Sequence, residues 1–584
     1  MATVNEARRD DGAGAPAADA SRLSAPVLIG LVWLTGISGV LLLYWGSKLT
    51  FLLDDWEFLL YRRDFDSVFE PHGPHISVIP VLIYKGLLAT VGMDSAFPFR
   101  VVSVGAFLIS CLLLFVYLRR RVGQWPALAA TAIVLFLGAG WEDLLWAFQI
   151  GYFGSMATGL GALLALERGG RRAGVLASAL LTVSILFSSL GLPFIAGAAV
   201  FVLLRPDRWR RLYVVAVPAA VFVLWWLGWG HDAESTASLD NLASTPVFVL
   251  DGIAASFASL FGLALTGEGP GGLDWGRPIA AVAIALGLWR AYRIGRLPDW
   301  VWVALAIAGS FWILAGINQM EGRDPWSSRY QYVGVVFTLL VAAELARGVR
   351  LTRGVLVVVL VTAAAAIAGN VQYLHRAYES YRFTSQLEKA DLAALDLARG
   401  TVEPGFVLEE SLADTGYVHV DAASYFSAAD AFGSPAYDPA ELAEAPAPAR
   451  YAADKVLFGA LRLGMAEVPA STLPGGPREQ AEAGPEGTIE VPSGSCLRVA
   501  SDGAALPLLA LPPGGGVFQA GAAPIADVKL TRFTEGEYPV DFEQGLASGG
   551  AAEIAIPPDR SPVPWKLLIE TAGTTTVCGL APSS

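Results

Sequence analysis

Residues 25–60 read APVLIGLVWLTGISGVLLLYWGSKLTFLLDDWEFLL. The first 21 are apolar, long enough to cross a hydrocarbon core of about 30 Å as a helix. The run is too long for the apolar stretch of a signal peptide and lacks a small-residue cleavage pattern, so it reads as a retained span. Within ten residues of its end stand two adjacent carboxylates, Asp54 and Asp55, where the chain leaves the lipid. Either they cap a solvated helix end or they form one wall of a site.

The rest of the chain extends this pattern. It has 584 residues, of which 54% are hydrophobic and 16% charged. A soluble chain would carry roughly a quarter charged residues. The mean hydropathy is +0.51. The deficit of charge is confined to residues 25–370; residues 371–584 have an ordinary soluble composition. Residues 1–24 are polar and rich in Ala and Gly, as in a disordered cytoplasmic tail. The net charge of −13 argues against a nucleic-acid partner.

Arginine sorts the loops. Short basic loops at 119–121, 167–172, 205–211, 290–296 and 347–353 alternate with acidic ones at 54–57, 141–146, 231–234 and 320–324. The positive-inside rule places the basic set in the cytoplasm and the acidic set outside. Helices are then expected near 25–45, 99–118, 127–140, 148–166, 174–190, 192–204, 212–229, 278–290, 299–316, 329–346 and 354–370, about eleven spans. Segment 247–265 breaks the alternation and is expected to lie re-entrant or flat at the outer interface. Tyr44, Trp45, Trp225, Trp226 and Trp229 stand at span ends, as interface anchors do. The chain is thus expected to be a multi-pass plasma-membrane protein, N-terminus cytoplasmic and C-terminal part extracytoplasmic.

That C-terminal part divides into a mixed α/β segment at 371–480 and a β-sandwich-like domain at 486–584. The latter shows short strand-like runs separated by turn residues. Cys496 and Cys578 lie in such runs and are a candidate disulfide outside the cytoplasm. Cys111 lies in an apolar run and reads as a small core residue.

Candidate chemistry gathers in the outer loops. The loop at 46–98 is long for a connector, and long ordered loops are usually functional. A carboxylate at Asp54 or Asp55 suits a general base for a hydroxyl nucleophile, or a metal ligand. Adjacent residues at a helix end point about 100° apart, so one of the two faces a reaction centre. The loop also carries EPHGPH (70–75), with His72 and His75 as phosphate or metal contacts; loop-capping hydrogen bonds are the plain alternative. GWEDLLW (140–146) sets Glu142 and Asp143 between Trp141 and Trp146, whose faces suit stacking on a sugar or anchoring at the interface. NQMEGRDPWSSRYQY (318–332) carries Arg323 and Arg329 against the charge bias, fitting a bidentate grip on phosphate. Salt bridges to Glu321 or Asp324 are the alternative for Arg323.

These residues carry a resemblance. A first helix followed by DDWEFL, then EPHGPHISVIPVLIYKGLL, the WED of 141–143 and SSRYQY (327–332), resembles the GT-C class of integral-membrane glycosyltransferases, over roughly residues 25–370. The resemblance implies inverting transfer of a sugar from a polyprenyl-phosphate donor to a cell-envelope glycan, glycolipid or glycoprotein acceptor. It places the base at the first acid of the pair, Asp54, with Asp55 as rival. It leaves open a divalent cation, Mg or Mn, held by Asp55, Glu142 and Asp143. It also implies that the outer C-terminal domain binds carbohydrate. A transporter or lipid flippase would instead require ionisable residues within the spans and paired inverted repeats. Asp251 and Glu344 are the few near-interior charges, and the sequence shows no internal repeat. A catalytically inactive envelope-assembly scaffold is the third reading.

Overall fold

The computed structural model describes residues 23–62, 64–233, 235–408, 420–473, 478–481, 496–500, 509–534, 538–571 and 574–578. Nineteen α-helices precede or accompany ten short strands among these residues. The helices are α1 Ala25–Gly46, α2 Asp55–Leu60, α3 Val78–Val91, α4 Phe97–Val122, α5 Gln124–Leu135, α6 Trp141–Leu145, α7 Ile150–Arg168, α8 Gly170–Phe187, α9 Gly191–Leu203, α10 Arg208–Arg211, α11 Tyr213–Gly228, α12 Leu239–Leu260, α13 Leu273–Ile294, α14 Asp299–Ile317, α15 Ser328–Leu345, α16 Arg353–Ala398, α17 Ala422–Phe432, α18 Pro439–Glu444 and α19 Ala447–Ala460.

Seven helices are long and apolar enough to cross a membrane, eight if the bent pair α5–α6 counts as one. Each span expected from the sequence finds a helix, but α9 and α11 are shorter, and α13 and α15 carry polar residues. The count of about eleven therefore exceeds what length and apolarity alone license.

Contacts at the helix ends define two faces. On one, the buried Arg121 pairs with Glu167 and Glu344, Arg120 holds Glu167 at 2.9 Å, and Arg347 holds Glu344 at 3.1 Å. The basic loops between α4 and α5, α7 and α8, and α15 and α16 thus meet on that face. Two of them turn on glycines with positive φ, Gly123 (86°) in one and Gly169 (71°) with Gly170 (78°) in the other, conformations that a side chain would strain. The opposite face gathers the acidic loops.

By length and composition α12 would pass for a span. Its contacts say otherwise. Near its start, Asn241 Nδ2 donates to the carbonyls of Ile317 (3.2 Å) and Gln319 (2.9 Å), at the end of α14. At its other end, Ser259 Oγ donates to Gln331 in the first turn of α15 (3.3 Å), and its carbonyl accepts from Asn370 (2.8 Å). The end of α14 and the start of α15 lie on one face, so this 22-residue helix runs along the acidic face. From there α13 returns to the basic face, where Arg290 donates to the carbonyls of Leu345 and Arg347, both at 3.3 Å. Asp251, the interior acid of α12, is paired with Arg277 of α13 at 2.9 Å.

The α5–α6 bend of 41° has a local cause. Gly138 lets the backbone of α16 approach at Asn370, where any side chain would collide. Asn370 Oδ1 then accepts from the Ala139 amide at 3.3 Å, satisfying a donor that the broken helix frees.

α16 is one unbroken helix of 46 residues. At 1.5 Å per residue it is about 69 Å long, more than twice a hydrocarbon core. Its far half is buried by α19 and carries the soluble part. There, ten strands, β1 Met465–Val468, β2 Arg478–Ala481, β3 Cys496–Ala500, β4 Leu509–Leu511, β5 Gly516–Ala520, β6 Ile525–Thr531, β7 Val540–Asp541, β8 Ala551–Ile554, β9 Trp565–Thr571 and β10 Thr574–Cys578, form a six-stranded sheet of order β1-β8-β5-β10-β3-β2 and a four-stranded sheet of order β4-β9-β6-β7. The two sheets bury Phe518, Ile554 and Val577 of one with Val528, Leu567 and Ile569 of the other. All pairings are antiparallel except β2 with β3. The edge strands β1 (Met465–Val468) and β2 (Arg478–Ala481) lie before residue 486, ahead of the boundary read from composition. Cys496 and Cys578, directly opposed on β3 and β10, form a disulfide. Cys111 is free and buried.

The soluble part grips the first loop. Tyr61 donates to Asp421, the N-cap of α17, at 2.8 Å; the Met93 amide donates to the Phe432 carbonyl at 2.6 Å; the Ser434 amide donates to Asp94 at 2.9 Å.

Single cysteines placed at 236 and 266, the two flanks of α12, are expected to react with a membrane-impermeant maleimide from the same side in a Cys-free background. A cysteine at 295 should react only from the other side. Labelling of 236 and 266 from opposite sides would make α12 a span.

Candidate active site

The loop after α1 enters its functional segment through Leu53, a non-glycine residue at φ 48°. Such a conformation costs about 1 kcal/mol or more and survives only where the surroundings impose it. What imposes it is Asp55. Its carboxylate is fully buried; Oδ2 accepts from the Leu52 amide at 2.9 Å and from Trp146 Nε1 at 3.2 Å, and Oδ1 accepts a short bond from the Tyr84 hydroxyl. Trp146 Nε1 also donates to the Leu52 carbonyl at 2.9 Å. Burial pushes the Asp55 carboxyl up to about 6, against the lowering effect of the bonds from Tyr84 and Leu52.

With Asp55 turned inward, its neighbour Asp54 faces the other way. Asp54 lines a cavity of about 230 Å³ on the acidic-loop face. It is the sole carboxylate among the lining side chains. Beside it come His72 and His75 from the first loop, Trp146 and Phe148 from the turn after α6, Tyr152 of α7, Arg323 from the loop after α14, and Arg329 and Tyr330 of α15. The rest of the lining includes an apolar stretch, Leu192 and Pro193 of α9, Phe222 of α11, and Phe311, Leu314 and Ala315 of α14, with the polar side chains of Gln149, Ser189 and Asn318.

The two histidines close a tight turn, each amide donating to the other's carbonyl at 2.9 Å, with Gly73 supplying the positive φ of 49°. His72 lies between two carboxylates, Nε2 at 3.3 Å from Asp54 and Nδ1 at 2.6 Å from Glu57. Burial works to lower its pKa, but the bonds and charges of Asp54 and Glu57 more than offset this and raise it to about 9. His72 is therefore an imidazolium at neutral pH. Burial, with the positive charges of His72, Arg323 and Arg329, pushes His75 down to about 3, so it is neutral. Glu57 pairs further with Arg62, which donates to the carbonyls of Ser67 (3.0 Å) and Pro71 (2.8 Å) and meets Glu70 at 3.2 Å.

The other expected site residues are distributed differently. Glu142 accepts from the backbone amide (2.9 Å) and Nε (3.3 Å) of Arg329, and does not line the cavity. Arg323 makes no ion pair with Glu321 or Asp324 among the described residues. Trp146 lines the cavity, whereas Trp141 packs edge-on against Tyr381 of α16 at 5.0 Å. Asp143 is fully buried outside the cavity lining, and neither oxygen has a hydrogen-bond partner among the described residues.

Among the described residues no group of three or more His, Cys, Asp or Glu side chains is placed to hold a metal ion. The oxygens of Asp55 are filled by protein donors, and Glu142 is held by a guanidinium. Glu57, Arg62 and Tyr84 were not singled out in the sequence. Glu57 had a signal, an acid one helical turn beyond Asp54; its partner His72 is fifteen positions away in sequence.

Together these features define a multi-pass membrane protein with a largely apolar cavity, carrying one carboxylate and three cationic side chains, set between its helices and a long structured loop. No protein-family model and no curated protein matches the chain. Among solved structures it is similar to the crystal structure of ArnT from Cupriavidus metallidurans bound to undecaprenyl phosphate, with a TM-score of 0.43 and 14% identity, covering 71% of this chain and 86% of that one.

Asp55→Ala leaves the donors of Tyr84 and Leu52 buried without their acceptor and should cost about 2–4 kcal/mol. Asp55→Asn preserves an acceptor and should fold. Because the Asp55 pKa in the fold exceeds the unfolded value, folding takes up a proton between pH about 4 and 6, and stability falls as pH rises through that window by about 3 kcal/mol at most. Thermal melts across pH should show this slope in the wild type and not in Asp55→Asn.

Proposed function

We propose that the protein is a membrane glycosyltransferase of the GT-C class. It moves a sugar from a polyprenyl-phosphate donor to a cell-envelope acceptor on the outer membrane face, with inversion. The observation that carries this reading is the composition of the cavity. One carboxylate, Asp54, stands among the cations of His72, Arg323 and Arg329, opposite an apolar wall supplied by membrane helices. That is what an anionic headgroup on a long hydrocarbon tail requires. The tail lies against Leu192, Phe222 and Leu314, and the phosphate meets the guanidinium groups.

Asp54 is the general base in this reading. It takes the proton from the acceptor hydroxyl as that oxygen attacks the anomeric carbon. The carbon–oxygen bond to phosphate breaks, and its electron pair leaves on the phosphate, stabilised by Arg323 and Arg329. Tyr152, Tyr330 and the neutral His75 offer hydrogen bonds to sugar hydroxyls. The gathering of basic loops on the opposite face supports placing the cavity outside the cytoplasm. The near-interior acids Asp251 and Glu344 are both ion-paired, which does not favour the transporter or flippase reading. No step is assigned to a metal.

With purified protein and a panel of polyprenyl-phosphate hexoses and pentoses, Asp54→Asn should lower turnover about 100- to 10,000-fold while donor binding persists. Turnover at the wild-type rate would remove Asp54 from the role of base. Arg323→Ala should weaken binding of polyprenyl monophosphate about 10- to 100-fold, the value of a charge-assisted contact. Unchanged affinity would exclude Arg323 from the phosphate site.

A further inference from the structure

A carboxylate base and an anionic donor sharing one small cavity pose an electrostatic problem. Bringing a phosphate beside Asp54 repels its negative charge and favours its protonated form, which is useless as a base. Arg323 and Arg329 face the phosphate in the functional reading above, and Arg329 is already engaged by Glu142. The group next to Asp54 itself is His72, at 3.3 Å.

We propose that Glu57, His72 and Asp54 act as a carboxylate–imidazolium–carboxylate chain, in which His72 is a positioning residue that fixes the Asp54 carboxylate and holds it ionised while a phosphate-bearing donor occupies the cavity. The inference rests on the glycosyl-transfer reading for its substrate, but its electrostatic core is independent of the sugar and the acceptor.

Four observations carry it. Each ring nitrogen meets a carboxylate, Nδ1 in a hydrogen bond to Glu57 at 2.6 Å and Nε2 in an ion-pair contact with Asp54 at 3.3 Å, an arrangement that favours the imidazolium. Its orientation is set from behind, because Glu57 is itself held by Arg62, which is anchored to the carbonyls of Ser67 and Pro71. The ring is walled by Phe58 (5.4 Å between centroids) and Phe148 (4.8 Å), which limit solvent screening. The charged groups facing it are Asp54 at Nε2 and Glu57 at Nδ1, with the Arg62 cation beyond Glu57. Across the turn His75 is neutral, and Asp55 stands behind Asp54. In the transfer step the proton passes from the acceptor oxygen to Asp54, and the electron pair of the broken bond goes to phosphate. His72 neither gains nor loses a proton, and its constant charge offsets the approaching anion throughout.

The experiment combines histidine NMR with kinetics on the full-length protein in detergent. Selectively labelled wild type, Asp54→Asn, Glu57→Gln and His72→Gln are titrated with and without polyprenyl monophosphate, the His72→Gln spectrum assigning the His72 resonance. His72 should remain protonated to pH about 9 in the wild type, and its titration should fall by about one unit or more in Asp54→Asn and in Glu57→Gln. A His72 midpoint in the ordinary range near 6.5, or one unmoved by both substitutions, overturns the chain. With the donor panel, His72→Gln should lower kcat about 10- to 100-fold and move the acidic limb of the kcat/KM profile to higher pH. An unshifted acidic limb also overturns the proposal, since loss of mere scaffolding would leave the base equally ionised. Absence of wild-type turnover across the panel would instead refute the glycosyl-transfer reading, with the histidine titrations still deciding the chain.

Discussion

The buried carboxylate of Asp55 is the interaction on which the candidate site depends. It joins segments that the chain order keeps apart: the loop leaving α1, α3 through Tyr84, and the turn after α6 through Trp146. A carboxylate without solvent is costly unless hydrogen-bonded, so three donors converge on it. Their convergence fixes the loop, holds Leu53 in its unusual conformation and directs Asp54 into the cavity. The acid that does not face the ligand is thus the one that decides where the other points.

A second constraint comes from the far side. α16 runs without a break from the basic face into the soluble part, and the elements it carries return to clasp the first loop at Tyr61, Met93 and Asp94. The loop that supplies Asp54, His72 and His75 is therefore braced from the membrane bundle and from the soluble part. Such bracing suits a site whose groups must keep ångström-scale geometry.

Much of this was legible in the sequence, and the limits are instructive. Apolar runs and arginine loops located the helices and their alternation, and the parity of the loops marked 247–265 as lying along a face. The contacts of Asn241 and Ser259 place α12 there. Local motifs pointed to Asp54, His72, His75, Arg323 and Arg329, all of which line the cavity. Trp141, Glu142 and Asp143 sit in an equally suggestive motif, yet none of them lines the cavity: Glu142 is held by Arg329 of α15 and Trp141 packs on Tyr381 of α16. Those partners are far away in sequence, so no local pattern reveals it. Glu57 was passed over for the same reason: an acid on a short helix is ordinary until its histidine partner is known.

By itself the sequence determined which segments belong in lipid, which loops share a side, and which chemical groups are gathered near one face. Partition into a bilayer and charge bias across it are properties of contiguous residues. Only the tertiary structure decided which of two adjacent acids lines the cavity and which histidine lies between two carboxylates. Those outcomes depend on desolvation and on the nearest charged neighbours, and at this site the neighbours come from α3, the turn after α6, the loop after α14 and α15.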